Sequence, residues 1–300
     1  MEIRKGLIYG FAAYALWGLF PLYFPLLKPA EAGEILAHRV VWTLVAVGLL
    51  LAAARNWSWI RRMTRRQWLL LSVAAVVIAV NWVTYIIAVN SGHTIEASLG
   101  YFINPLVTVL IGVLLLGERL RAWQWTALGV GAVAVAVLTS DYGRPPWIAL
   151  VLALSFGTYG LMKKRAAMPS AESLTVEAAV LALPALGLMA WTQAQGTAAF
   201  GHAGTGNVLL ILTLGIVTAV PLMLFNASAQ RLPLTSLGLL QYVAPVLQFL
   251  VGLLIQHEAM PPSRWIGFTL VWVALSILTW DALRTARQTR AGETVAAAAA

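Results

Sequence analysis

The sequence predicts an all-α integral membrane protein, with ten transmembrane helices arranged as two inverted five-helix repeats. Three observations predict it. First, 60% of the 300 residues are hydrophobic and only 10% are charged, whereas a soluble domain carries roughly 25% charged residues. Such a chain could not cover a water-facing surface with polar groups. Second, the later half repeats the earlier half at a shift of 140 residues: Pro105 falls on Pro245, Gly112 on Gly252, Glu118 on Glu258 and Trp125 on Trp265. In the same register Tyr85 meets Phe225, Asn90 meets Gln230 and Leu99 meets Leu239. Third, basic residues concentrate in alternate loops. A duplicated, membrane-embedded chain is the usual plan of a small-molecule transporter.

A helix needs roughly 20 apolar residues to cross a bilayer. The first candidate, about 7–27, follows Arg4 and Lys5. It is longer than the apolar region of a secretory leader and many spans follow it, so it reads as the first membrane helix. The rest of the first repeat, residues 1–140, holds candidates at about 34–54, 68–90, 95–116 and 123–139. Residues 140–146 (Ser140 to Pro146) form a turn-rich linker. The second repeat, residues 147–282, holds candidates at about 147–162, the shortest, then 174–193, 207–229, 235–255 and 264–281. Residues 283–300 turn polar and end in an alanine run, and are expected as a disordered cytoplasmic tail or at most a frayed helix.

Charge placement sets the orientation. One set of alternating segments holds Arg4, Lys5, Arg55, Arg61, Arg62, Arg65, Arg66, Arg119, Arg121, Lys163, Lys164, Arg165, Arg231, Arg284, Arg287 and Arg290. The other holds only Lys28, Arg144 and Arg264. By the positive-inside rule both termini face the cytoplasm. An odd number of helices per repeat inserts the second copy upside down, so Glu118 is expected at the cytoplasmic face and Glu258 at the opposite one. Trp57, Trp59, Trp68, Trp123, Trp125, Trp147, Trp191, Trp265 and Trp280 fall near helix ends, where indoles sit at the headgroup level.

Composition also excludes functions. The net charge of +9 resides in short loops and the tail rather than a basic stripe, so no nucleic-acid partner is expected. The absence of cysteine removes disulfides, thiolate metal sites and thiol nucleophiles. There is no His-Glu-x-x-His, no Gly-x-Ser-x-Gly and no ligand spacing among the four histidines, so neither enzyme nor metal nor cofactor is expected. No phosphate-binding loop is present to use ATP.

Several strings are more specific. They are Glu34-Ile35-Leu36-Ala37-His38-Arg39-Val40-Val41-Trp42, Glu96-Ala97-Ser98-Leu99-Gly100-Tyr101-Phe102-Ile103-Asn104-Pro105-Leu106, Gly117-Glu118-Arg119, and Gln241-Tyr242 followed by Pro245. Through them the chain resembles the drug/metabolite transporter superfamily, in its ten-helix branch with two EamA repeats, over about residues 5–283. The second repeat departs from the pattern where Gln256-His257-Glu258 replaces Gly-Glu, which weakens functional symmetry between the two glutamates. The resemblance implies a multi-pass permease of the bacterial inner membrane and supplies no substrate.

Candidate site residues follow from membrane depth. Pro105 and Pro245 mark paired helix breaks, the best sequence pointer to a central cavity, with an inherited packing kink as the other reading. Around them lie Trp17, Asn81, Trp82, Tyr85, Tyr101, Asn104, Tyr159, Asn226, Gln241 and Tyr242. Each is either interhelical glue or a substrate contact. No carboxylate, lysine or arginine is expected near the midplane, so the lining suits a neutral or zwitterionic, partly aromatic solute. Glu34, His38 and Arg39 form an ionisable cluster expected just below the outer surface, with Glu96 facing it. His38 could exchange protons near neutral pH; alternatively Arg39 anchors a headgroup or carbonyl and His38 fills a polar interface.

The expected function is secondary-active transport by alternating access. The expectation is export of small metabolites or drugs, with proton coupling as an added reading and a channel or a non-transporting sensor as the alternative. Partners are a small-molecule substrate and membrane lipid, and a monomer is expected over a dimer.

Overall fold

The computed structural model describes residues 2–55, 57–117, 119–232 and 234–299, and among them all regular structure is helical. Among the described residues nine helices are long and apolar enough to cross a membrane: α1 Glu2–Leu27, α2 Ala32–Ala53, α3 Arg65–Asn90, α4 Thr94–Leu115, α5 Ala122–Tyr142, α7 Ser170–Ala194, α8 Thr205–Ala229, α9 Ser236–Ile255 and the Pro262–Thr285 part of α10. The remaining helix, α6 Trp147–Ala166, is the one that was shortest in the sequence reading. It ends in Lys163, Lys164 and Arg165.

Local chemistry sets the boundaries. Thr64 and Gln67 form a reciprocal capping box at the start of α3. Gly117 and Gly143, at φ 67° and 64°, end α4 and α5 in the left-handed conformation that glycine adopts without steric cost. In α1 the helix stops at Gly18 and resumes as two short turns, Phe20–Tyr23 and Phe24–Leu27, whose first positions take Pro21 and Pro25.

The paired proline breaks are not equivalent. Pro105 sits inside an uninterrupted α4. In α9 the helix is interrupted at Gln241 and Tyr242, and Pro245 lies in the first turn of the resumed segment Val243–Leu250. A proline in a first turn removes an N–H that has no helical partner anyway, so in α9 the break precedes the proline rather than being made by it. The tail, residues 283–299, continues α10 as helix.

The helices pack as pairs: α5 along α10, α2 along α7, α4 against α9, α1 along α8 and α3 along α6. Exchanging each helix for the one five places away carries α1·α8 onto α6·α3, α2·α8 onto α7·α3 and α1·α9 onto α6·α4. The α5·α10 pair is antiparallel. Arg121 at the start of α5 binds Asp281 far along α10, and Asp141 at the end of α5 binds Arg264 at the start of α10. The α2·α7 pair is antiparallel too, since Ala37 and Val40 meet Ala185 while Val47 meets Leu174.

Close crossings rest on small residues. A Cβ on Gly215 of α8 would overlap the Trp42 carbonyl of α2, and one on Gly100 of α4 would lie 2.8 Å from the Ala149 carbonyl of α6. The core falls into two main clusters, one around Phe24, Ile35, Tyr85 and Leu214, the other around Leu99, Leu138, Phe249 and Phe268. Leu49, Leu114 and Leu183 are among many large apolar side chains left exposed on the outside, as a lipid-facing rim requires. The tryptophans expected at the rim are exposed, except Trp59, which is buried against Leu51, Leu71, Ala166 and Val176.

Two sets of loops define two ends. Residues 28–31, 91–93, 143–146, 195–204 and 256–261 form the end predicted to be external, here called distal. Residues 54–55, 57–64, 117, 119–121, 167–169 and 230–232 form the proximal end, where Glu2 pairs with Arg231.

Candidate functional site

The His-Arg string of α2 organises the centre. Glu34, buried near the start of α2, accepts from the backbone N–H of Ala199 at 3.0 Å and of Phe200 at 2.9 Å. One turn on, His38 Nδ1 accepts from Trp42 Nε1–H at 3.3 Å. That assignment leaves the ring proton on Nε2. The His38 ring lies 4.5 Å from that of Phe200.

Arg39 is only 4% exposed. It is the eighth residue of α2, so it sits about 10 Å from the distal end of that helix. Its Nε–H donates to Thr218 Oγ1 of α8 at 3.1 Å. Its guanidinium carbon lies 4.0 Å from the Trp82 ring, 5.5 Å from Phe20 and 5.8 Å from Phe24. Among the described residues no carboxylate pairs with it.

From this cage a ladder of rings runs inward. Phe24 stands 5.9 Å from Tyr85, Tyr85 is 5.7 Å from Tyr101, Tyr101 is 5.9 Å from Phe156, and Phe156 is 6.1 Å from Tyr159. The ladder ends on a buried ion pair that sequence reasoning missed. Tyr159 OH donates to Glu177 Oε2 at 3.0 Å, and Lys163 Nζ lies 2.7 Å from Glu177 Oε1. Lys163 had been placed in a loop. The usable signal was Glu177 itself, a carboxylate inside a predicted span.

The predicted lining divides into groups. Trp82, Tyr85, Tyr101 and Tyr159 belong to the cage and ladder. Asn81 braces them: its Nδ2 donates to the Leu152 carbonyl and Ser155 Oγ, both at 3.0 Å, and its Oδ1 accepts from Tyr101 OH at 3.1 Å. Trp17 packs with Tyr14 and Phe225, and its carbonyl accepts from Gln248. Asn226 accepts from Ser170 near the proximal end. Asn104 is buried with its Oδ1 unpartnered, 3.6 Å from the place a Cβ on Gly157 would take. Pro105, Gln241 and Tyr242 line a separate cavity of about 280 Å³ between α4, α9 and α10. Pro245 is buried.

Glu96 does not face the α2 cluster. Its carboxylate takes both terminal nitrogens of Arg144, at 2.8 and 3.1 Å, and the N–H of Ile148 at 3.2 Å. That bond holds the Arg144 guanidinium above its ordinary pKa. With Arg264, Tyr142, His93 and Glu258 the pair lines a distal cavity of about 380 Å³. Glu258 accepts from the N–H groups of Thr94 at 2.6 Å and Ile95 at 2.9 Å, capping α4. Burial nevertheless pushes its carboxyl pKa up. Glu118, its counterpart, lies outside the described residues.

A family model described as EamA-like transporter family matches residues 4–140 and again 145–280. The chain is 61% identical over 97% of its length to "Protein RarD" of Streptomyces exfoliatus, covering 93% of that protein. It is 40% identical over 96% of its length to "Protein RarD" of Escherichia coli (strain K12), covering 98% of it. The similarity to RarD proteins carried by the His-Arg and Gly-Tyr-Phe-Ile-Asn-Pro strings thus extends along nearly the full chain. A crystal structure 23% identical, covering 91% of this chain and 96% of its own with a TM-score of 0.58, shares the fold.

Proposed function

The chain belongs to the EamA-like transporter family, and on that premise we propose that it is a secondary-active carrier working by alternating access. Two oppositely oriented five-helix halves rock about the Arg39 cage and its aromatic ladder. The observation that supports this reading is the packing, in which α1·α8, α2·α8 and α1·α9 recur as α6·α3, α7·α3 and α6·α4, with α2·α7 and α5·α10 antiparallel. Halves related in that way can open toward one end or the other by one motion of the same parts.

The basic bias of the proximal loops supports an inner-membrane location with both termini cytoplasmic. His38, with its proton on Nε2 beside the cage, is the group we assign to proton coupling. A monomer suffices, because the exchange symmetry lies within one chain. The test is counterflow in proteoliposomes, using an aromatic metabolite first found by thermal shift of the purified protein. Saturable uptake accelerated by the same solute inside is expected. Linear flux unaffected by internal solute would mean a channel.

A further inference from the structure

We infer that Arg39 is the docking point for a carboxylate on the transported solute. The substrate class is then aromatic monocarboxylates, which narrows the neutral or zwitterionic, partly aromatic solutes expected from sequence to those that carry a carboxylate. The inference rests on the carrier reading and deepens it.

A guanidinium has five N–H donors and favours two parallel bonds to one carboxylate. Here Nε–H is used by Thr218. The terminal nitrogens donate to no acceptor among the described residues, and no acid pairs with the charge. Three ring faces, chiefly Trp82 at 4.0 Å, offset part of the desolvation. Rings supply no lone pair in the plane of the fork, so they leave the donors unmet. A buried charge without a partner is costly, and a structural arginine would be expected to bring its own acid, as Arg121, Arg144 and Arg264 do in this chain.

A second group points to the same ligand. Tyr85 is 3% exposed and its hydroxyl has no partner among the described residues. Its ring contacts Phe24, which also stands under Arg39. Two unmet donors of one cage call for one acceptor-rich anion. The ladder beyond them offers ring faces to a flat apolar body. A phosphate dianion would want more donors than these.

The test uses the purified full-length chain, with phenylacetate and indole-3-acetate compared against their neutral amides by thermal shift and tryptophan fluorescence. The acids are expected to bind saturably and the amides about tenfold or more weaker. Arg39→Gln is expected to abolish the preference, and Arg39→Lys to keep part of it. Equal binding of acid and amide, no binding of either, or an intact preference in Arg39→Gln would overturn the proposal. The acid-to-amide comparison on the unaltered chain decides even if Arg39→Gln fails to fold. Acid binding without counterflow would overturn the carrier reading and leave the carboxylate site standing. Counterflow of the amides alone would do the reverse.

Discussion

Asp141 and Asp281 stand 140 residues apart, and each receives an arginine at opposite ends of one antiparallel helix pair. Arg264 Nε lies 2.8 Å from Asp141, and Arg121 Nε lies 2.9 Å from Asp281. The two acids occupy the same place in the repeat. The two arginines do not: position 261 opposite Arg121 is proline, and position 124 opposite Arg264 is glutamine.

Asp141→Asn should destabilise more than Asp281→Asn. Both acids are buried, but Arg264 is 18% exposed and Arg121 is 46% exposed, so water replaces the lost partner more readily at the proximal end. We expect about 2–3 kcal/mol against about 1 kcal/mol. The sites are about 30 Å apart along α5, so the double variant should be additive within about 0.5 kcal/mol. Reversible unfolding in mixed micelles measures all three.

Because the chain has no cysteine, single reporters can be placed without background. Arg119→Cys and His257→Cys lie at exposed positions beside the two repeat-related glutamates. An impermeant maleimide should label them from opposite faces of the membrane. Labelling from one common face would remove the inverted arrangement.

Gly215→Val should cost about 3 kcal/mol or more, because its side chain must displace the Trp42 backbone. It should also disturb Arg39 through Thr218, which lies on the next turn. Gly187→Ala, in open space on α7, should instead stabilise by about 0.5–1 kcal/mol through helix propensity. Thermal denaturation of the pair separates crowding from a general intolerance of glycine replacement.

Burial raises the Glu258 carboxyl above its ordinary 4.5, outweighing the opposing N–H bonds of Ile95 and Thr94. Its folded pKa therefore exceeds the unfolded one. The contribution it makes is full below 4.5 and lost as pH rises through the folded value. The Tm of the unaltered protein minus that of Glu258→Gln should fall across that window. A flat or rising difference would mean that the two N–H bonds dominate.

The spans were legible because a bilayer demands long apolar runs, and the repeat because Pro105, Gly112 and Trp125 recur at a fixed shift. Ring positions such as Tyr85, Tyr101 and Tyr159 were legible for the same reason: aromatic and polar groups inside apolar runs stand out. Partnerships were not. Nothing in sequence says that Glu96 turns to Arg144 rather than to His38, because both basic groups lie near the same end and only helix rotation selects between them. Lys163 reads as a loop residue and Glu177 as a lone acid inside a span, and nothing in sequence says that the turn at 167–169 brings the two together.

The twin clamps of α5 and α10 fasten both ends of one seam. The better-sheltered Arg264 makes the distal fastening the firmer of the two. Heat or denaturant should therefore unzip that seam from the Arg121 end first.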